Sequence, residues 1–281
     1  MQAVPETPEL TLSSDLTGHL WIQELPTGGW LRFQVTAGGG LEFGTPEGTG
    51  VTATAVPPPY RRAALQVRGA IDREAMRTAT DDPAAITFVG RATWNDGIAY
   101  PWQELPAFLG TDVWTDERAQ YLSPDMATSA FDRLGLPTPP AIVKEQPAAH
   151  TDIARYTEAE EFPSSAWRDG RAAGVLIRDK TGTRAQAWRP RVTEAGSAHD
   201  AQSAESLAEQ YATEARLAAV VDRLQNAGEA PSVETVRDRV VADIAREHYP
   251  VLYHDGAPVV SMRAFESAVA ETVHRYLASE S

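Results

Sequence analysis

The sequence predicts an α+β protein of antiparallel strands and helices, followed by a helical tail. Three observations carry this. Residues 18–45 alternate apolar and polar positions between glycine-marked corners, as strands do. Residues 174–188 form an apolar run, a turn and a second alternating run, the pattern of a hairpin. From about Ala201 the chain turns alanine-rich, with apolar residues at helical spacing.

The elements follow in order. His19-Leu20-Trp21-Ile22 reaches a turn at Thr27-Gly28-Gly29, and Trp30 to Val35 alternates. Gly38-Gly39-Gly40 turns the chain into Leu41-Glu42-Phe43, so a β-meander is expected. Pro57-Pro58-Pro59 interrupts, and Ala64, Val67, Ile71 and Met76 then place a helix over residues 60–77. Short apolar strands are expected at 85–89 and 108–114. A helix is expected at 124–134, with Ser123 as its cap. Gly174 to Arg178 reads as a buried strand, Lys180-Thr181-Gly182 as its turn and Arg184 to Trp188 as its partner. Helices are expected at 201–227, 232–248 and 262–277, with Ser232 and Thr235 as a start signal and Gly228 as a stop. The small, polar stretch 193–203 divides an α+β domain, 1–195, from a helical domain, 200–281.

Composition removes several kinds of chemistry. The chain has 281 residues and no cysteine, which excludes disulfides, thiolate catalysis and cysteine-ligated metal. Its six histidines show no metal-ligand spacing, so no metal site is expected on them. No apolar run is long enough to cross a membrane, and the first ten residues are acidic and proline-bearing, unlike a signal peptide. A cytoplasmic protein without a membrane partner is expected. The net charge is −14, and Lys144 and Lys180 are the only lysines. An acidic surface nearly free of lysine suits either a halophilic source or an ordinary mesophile of high GC content. Any nucleic-acid contact would need a local basic face, since the overall balance is acidic.

The order of the segments resembles a known family. Glu24-Leu25-Pro26-Thr27-Gly28-Gly29-Trp30-Leu31-Arg32-Phe33 resembles the first motif of ATP-dependent RNA ligases, E-K-x-D-G-x-x-x-R-[FIV]. Leu41 to Thr45 is similar to the L-x-F-G-[ST] strand that follows, and Phe88-Val89-Gly90-Arg91 stands where the family has F-x-G-E. Pro106 to Trp114 resembles the segment whose aromatic stacks on the nucleotide base. Ala173-Gly174-Val175-Leu176-Ile177-Arg178 resembles E-G-[VI]-V-I-[RK], and Arg184-Ala185-Gln186 resembles the closing R-x-K. Tyr211 to Leu217 is similar to the opening of the helical C-terminal domain of some RNA ligases. The resemblance implies a covalent nucleotidyltransferase domain, with antiparallel sheets around a groove, and a small helical domain after it.

It also implies a reaction, and the residues that reaction needs. A lysine of depressed pKa attacks the α-phosphate of ATP, acidic side chains hold Mg²⁺, and a second lysine balances charge on the phosphate. AMP then passes to an RNA 5′-phosphate, and a 3′-hydroxyl displaces it. Here the nucleophile position is Leu25 and the acidic position beside it is Thr27. Arg91 replaces the glutamate of the third motif, Thr111 the stacking aromatic, Ala173 the metal-binding glutamate and Gln186 the charge-balancing lysine. Gly28, Arg32, Gly90, Asp112, Arg178 and Arg184 remain. Asp15-Leu16-Thr17-Gly18, a second frame for the first motif, also lacks a lysine.

Three functions are therefore carried forward. The leading one is a pseudoenzyme that binds RNA or nucleotide, or partners an active ligase, with Arg32, Arg91, Arg178 and Arg184 either lining a groove for phosphate or only satisfying acidic neighbours. It would need no cofactor. The second is an active ligase using ATP and Mg²⁺ through a relocated nucleophile, Lys180 or Lys144. The third is a structural or assembly protein that reuses the fold and binds neither nucleotide nor RNA.

Overall fold

The computed structural model describes residues 1–11, 14–46, 48–190 and 202–279. The chain divides into two units, 1–94 with 98–193 and 95–97 with 194–281. The expected boundary at 193–203 lies outside the described residues, apart from its last two positions.

The first unit holds two antiparallel sheets. Its strands are β1 (His19–Glu24), β2 (Gly28–Val35), β3 (Leu41–Thr45), β4 (Gly48–Val51), β5 (Ile86–Thr93), β6 (Phe108–Thr115), β7 (Gln120–Tyr121), β8 (Ala141–Pro147), β9 (Gly174–Asp179) and β10 (Arg184–Trp188). One sheet has the order β10-β9-β1-β8, the other β4-β3-β2-β5-β6-β7. The expected meander over 18–45 is corrected by this order, because β1 and β2 lie in different sheets. Leu25 donates its N–H to the Gly174 carbonyl at 2.8 Å, and Pro26, which has no N–H, ends the ladder there. The segment read as a turn is thus a crossing between sheets. The expected hairpin of β9 and β10 is present, with Arg178 opposite Arg184.

Each sheet packs one face on an apolar layer. Leu20, Ile22, Val175, Ile177, Ala185 and Ala187 alternate inward on the four-stranded sheet and meet Tyr156 and Phe162 from the irregular stretch before β9. On the six-stranded sheet Phe33 packs on Phe88 and Phe108, and these two meet Phe131, with ring centroids 4.8–6.2 Å apart. Gly110 makes room for this contact, since a Cβ there would stand 2.4 Å from the Phe131 ring. Phe131 lies on a helix that starts at the expected place, Pro124–Arg133, but the Ser123 hydroxyl makes no capping bond to the helix backbone.

The helix expected at 60–77 is two, α1 (Pro58–Ala70) and α2 (Arg73–Ala79). Asp72 causes the break. Its carboxylate accepts the N–H groups of Glu74 and Ala75 at 2.9 Å and so opens a second helix. In chain order Pro124–Arg133 is α3.

The first residues of the chain are tied to both sheets. The Gln2 N–H donates to Thr87 Oγ1, and the Ala3 carbonyl accepts from the Tyr121 hydroxyl. Pro8 and Leu10 exchange backbone bonds with Gln186, which extends the four-stranded sheet beyond β10.

The second unit is helical, with α4 (Ala204–Tyr211), α5 (Glu214–Asn226), α6 (Val233–Glu247), α7 (Tyr249–Leu252) and α8 (Met262–Ser279), and a small hairpin before α8. The single helix expected at 201–227 is broken at Ala212, where Thr213 caps a new one. Ser232 and Thr235 form a capping box, and Gly228 follows α5 at φ +71°. Phe265, Val269 and Val273, one turn apart on α8, are fully buried with Val236, Val240 and Ile244. No helix among the described residues is long and apolar enough to cross a membrane.

Candidate functional site

The motif positions gather where the four-stranded and six-stranded sheets of the first unit meet. Most are sealed. Leu25 has no exposed surface, and Thr27, Thr111 and Ala173 are buried with it. Thr27 Oγ1 donates to the Trp94 carbonyl at 2.6 Å, and Thr111 Oγ1 to the Val89 carbonyl at 3.2 Å. The Ala173 N–H donates to the Tyr100 hydroxyl at 3.0 Å. These positions are packed and hydrogen-bonded within the first unit.

Arg91 is buried between two tryptophan rings. Its guanidinium carbon lies 5.2 Å from the Trp30 ring centroid and 5.1 Å from that of Trp188, and its Nε donates to the Pro26 carbonyl. The residue is 7% exposed, so the cation–π contacts act in a desolvated setting. Trp30 sits on β2 opposite Arg91, while Trp188 closes β10. One arginine therefore joins the two sheets beside the Leu25–Thr27 crossing.

The retained residues form a second junction. A bulge in β6 leaves Thr111 unpaired between Gly110 and Asp112, which turns Asp112 toward the other sheet. Arg178 Nη1 donates to Asp112 Oδ1 at 2.8 Å and to the Thr111 carbonyl, and its Nη2 donates to Gln23 Oε1. Arg184 grips the same carboxylate with both terminal nitrogens, at 3.0 and 2.8 Å. Burial works to raise the Asp112 pKa, but Arg184 and Arg178 outweigh it and hold the carboxyl well below the usual range. Burial pushes the Arg178 pKa down.

The four arginines expected along one groove are thus divided. Arg178 and Arg184 share Asp112, and Arg91 stands between tryptophans. Arg32 donates to the Gln2 and Thr45 carbonyls, at 3.1 and 3.2 Å. Strand alternation explains the split, because Arg178 and Arg184 face each other across one hairpin while Arg32 points along β3. Gln186 lies beside the first residues of the chain, its Nε2 3.2 Å from Glu9 Oε1.

The two motif glycines answer to packing. A Cβ on Gly28, at φ +150°, would stand 1.9 Å from the Ala92 carbonyl oxygen. One on Gly90 would meet the Leu109 carbonyl and the Phe108 ring at 2.4 Å. Both are needed by the backbone whatever the protein binds.

The side chains of Leu25 and Ala173 offer neither a nucleophile nor a metal ligand, and that of Arg91 is a cation. Among the described residues no three histidine, aspartate or glutamate side chains are placed to hold a metal ion. Lys180 is half exposed and pairs with Glu145 at 3.0 Å, a hydrogen bond that raises its pKa. Lys144 lies 5.1 Å from the Trp21 ring centroid.

Sequence reasoning passed over Glu24, which directly precedes the nucleophile position. Its carboxylate is buried and accepts from Ser165 Oγ at 2.6 Å, the Ala166 N–H at 2.7 Å and the Tyr100 hydroxyl at 3.0 Å. Burial raises its pKa against these bonds. Gln23, Trp30 and Trp188 were also passed over. Their partners lie far away in the chain, and only the apolar alternation hinted that they face inward.

No protein-family model and no curated protein matches this chain. Solved structures do. It resembles ATP-dependent ligases in structure. Two forms of an archaeal ATP-dependent RNA ligase superpose with TM-scores of 0.46 and 0.47 at 14% and 15% identity, over 90% of this chain and 64% of theirs. An RNA ligase of Naegleria gruberi with PPi gives 0.45 at 13% identity, over 66% and 59%. A putative ATP-dependent DNA ligase from Aquifex aeolicus gives 0.46 at 14% identity, over 99% and 68%. The chain thus spans less than two thirds of the archaeal and Naegleria ligases.

Proposed function

We propose that this protein is a non-adenylating relative of RNA ligases, which binds RNA or a nucleotide, or accompanies an active ligase, without forming a covalent nucleotide intermediate. One observation carries the reading. Leu25, the residue that stands at the nucleophile position by motif resemblance, is fully buried, and the Arg91 guanidinium packs against Trp30 and Trp188 in the same unit. A leucine has no lone pair to attack phosphorus, and a buried cation repels a divalent metal. What the family pattern retains here are glycines required by packing and arginines engaged with carbonyls and Asp112. That is what remains when a fold is kept and its covalent step is lost.

The relocated-lysine reading is weaker on physical grounds. A nucleophilic amine needs a depressed pKa, whereas Glu145 raises that of Lys180. A charge of −14 with two lysines also fits work in concentrated salt, which an unfolding midpoint that rises between 0.1 and 2 M KCl would support.

The test is covalent self-labelling. Purified protein is incubated with α-labelled ATP or GTP and Mg²⁺ or Mn²⁺, at low and high salt, then denatured and run on a gel beside an active ligase. No label is expected. A label that survives denaturation and disappears in Lys180→Ala or Lys144→Ala would overturn the reading and locate the nucleophile.

A further inference from the structure

We infer that a cleft of about 510 Å³ between β7 and the β9–β10 turn is a binding site for a nucleoside 5′-phosphate. The inference rests on the non-covalent binding proposed above and gives it a place and a ligand class. The cleft lies at the far end of β9 from Leu25 and Ala173.

The arginine pair is the first observation. Arg178 and Arg184 line the cleft, with side chains 4% and 7% exposed, and Asp112 is the one carboxylate that both grip. Two buried guanidiniums share that one carboxylate, and the lining carries two further carboxylates, Glu6 and Asp179, so it is the unused donors of the pair rather than a net charge that could take an anion. The Nε atoms of both arginines are buried and have no hydrogen-bond partner among the described residues. An acceptor oxygen, from a ligand or a water, would satisfy them. Asp179 also borders the cleft, but one of its oxygens accepts the N–H groups of Thr181 and Thr183.

The rim adds the second observation. Arg118 borders the cleft, is exposed, and has no ion pair among the described residues. Lys180 stands on the same rim with its ammonium on Glu145. Three guanidiniums therefore border one cavity, with the Lys180 ammonium taken up by Glu145, and guanidinium donors suit phosphate oxygens.

The third observation is aromatic. Trp114 and Tyr121 line the cleft half-exposed, edge to face, with centroids 5.0 Å apart. Trp114 is held by its indole N–H to Asp116 Oδ1 at 2.7 Å. A fixed, accessible aromatic pair beside cations suits a planar base joined to a phosphate, and the volume lies within the range of small-molecule sites.

Isothermal titration of the whole chain at low salt, with AMP, adenosine, inorganic phosphate and a short oligoribonucleotide with or without a 5′-phosphate, tests this. AMP is expected to bind at one site, at least about tenfold more tightly than adenosine or phosphate alone, since each supplies half of the contacts. Arg118→Glu, on an exposed side chain, should weaken AMP about tenfold with an unchanged melting temperature. If the 5′-phosphorylated oligonucleotide matches AMP and loses affinity in the same variant, the ligand is an RNA end. If it does not bind, the ligand is a free nucleotide. AMP binding no tighter than phosphate or adenosine, no saturable binding, or full affinity in Arg118→Glu would overturn the inference. A covalent label would sink the earlier reading while leaving these affinities to be judged by themselves.

Discussion

The Arg91 guanidinium carbon stands 5.1 Å from the ring centroid of Trp188, a residue of the other sheet. Replacing Arg91 with alanine removes two desolvated cation–π contacts and a bond to the Pro26 carbonyl, and it empties a packed volume. A loss of about 3 kcal/mol is expected in urea unfolding, since each such contact contributes roughly 1–2 kcal/mol and the hydrogen bond about 1. The variant should still take up no covalent AMP, because Leu25 remains.

Asp112→Asn should cost about 3–5 kcal/mol, since it leaves two buried guanidiniums without their carboxylate. The pH dependence has a definite sign. The folded pKa of Asp112 is depressed below its ordinary 3.8, so its contribution is complete above that value and is lost as pH falls through the folded one. The stability gap between wild type and variant should stay level from pH 7 to about pH 5 and shrink below about pH 4.

Glu24 has the opposite sign. Its folded pKa is raised above 4.5, so the buried charge opposes folding at neutral pH and protonation relieves it. Relative to Glu24→Gln, the wild type should gain stability as pH is lowered from 7 toward 4.5. A gap that is flat over this range in paired denaturant titrations would refute the raised pKa.

Gly28→Ala should fail to fold or lose more than about 3 kcal/mol, because the new methyl would overlap the Ala92 carbonyl. Gly69→Ala is the control. It lies in α1 with nothing within 4 Å of its added Cβ, and it should gain up to about 1 kcal/mol of helix propensity. Thermal unfolding of the pair separates steric need from general sensitivity.

Local signals in the sequence carried far. The hairpin of β9 and β10 was legible because alternation and a glycine turn sit within fifteen residues. The start of α6 was legible because Ser232 and Thr235 form their reciprocal bonds within one turn. What escaped depends on distant partners. A glycine-rich corner at 27–29 looks the same whether the chain folds back or crosses to another sheet, and the Leu25 bond to Gly174 decides it. The break at Asp72 required weighing a side-chain cap against continuing helical spacing. At the site, the absence of lysine and glutamate from the motif segments could be read directly, but not the packing of Arg91 between Trp30 and Trp188, since the three come from three strands.

The backbone bonds that Pro8 and Leu10 make to Gln186 have a practical consequence for anyone handling this protein. β10 is the last strand of its sheet, and the N–H and C=O of Gln186 at its middle are covered by that short stretch. Trimming the first ten residues would uncover a ready template for another chain to pair with, so aggregation through β10 should precede any loss of native secondary structure.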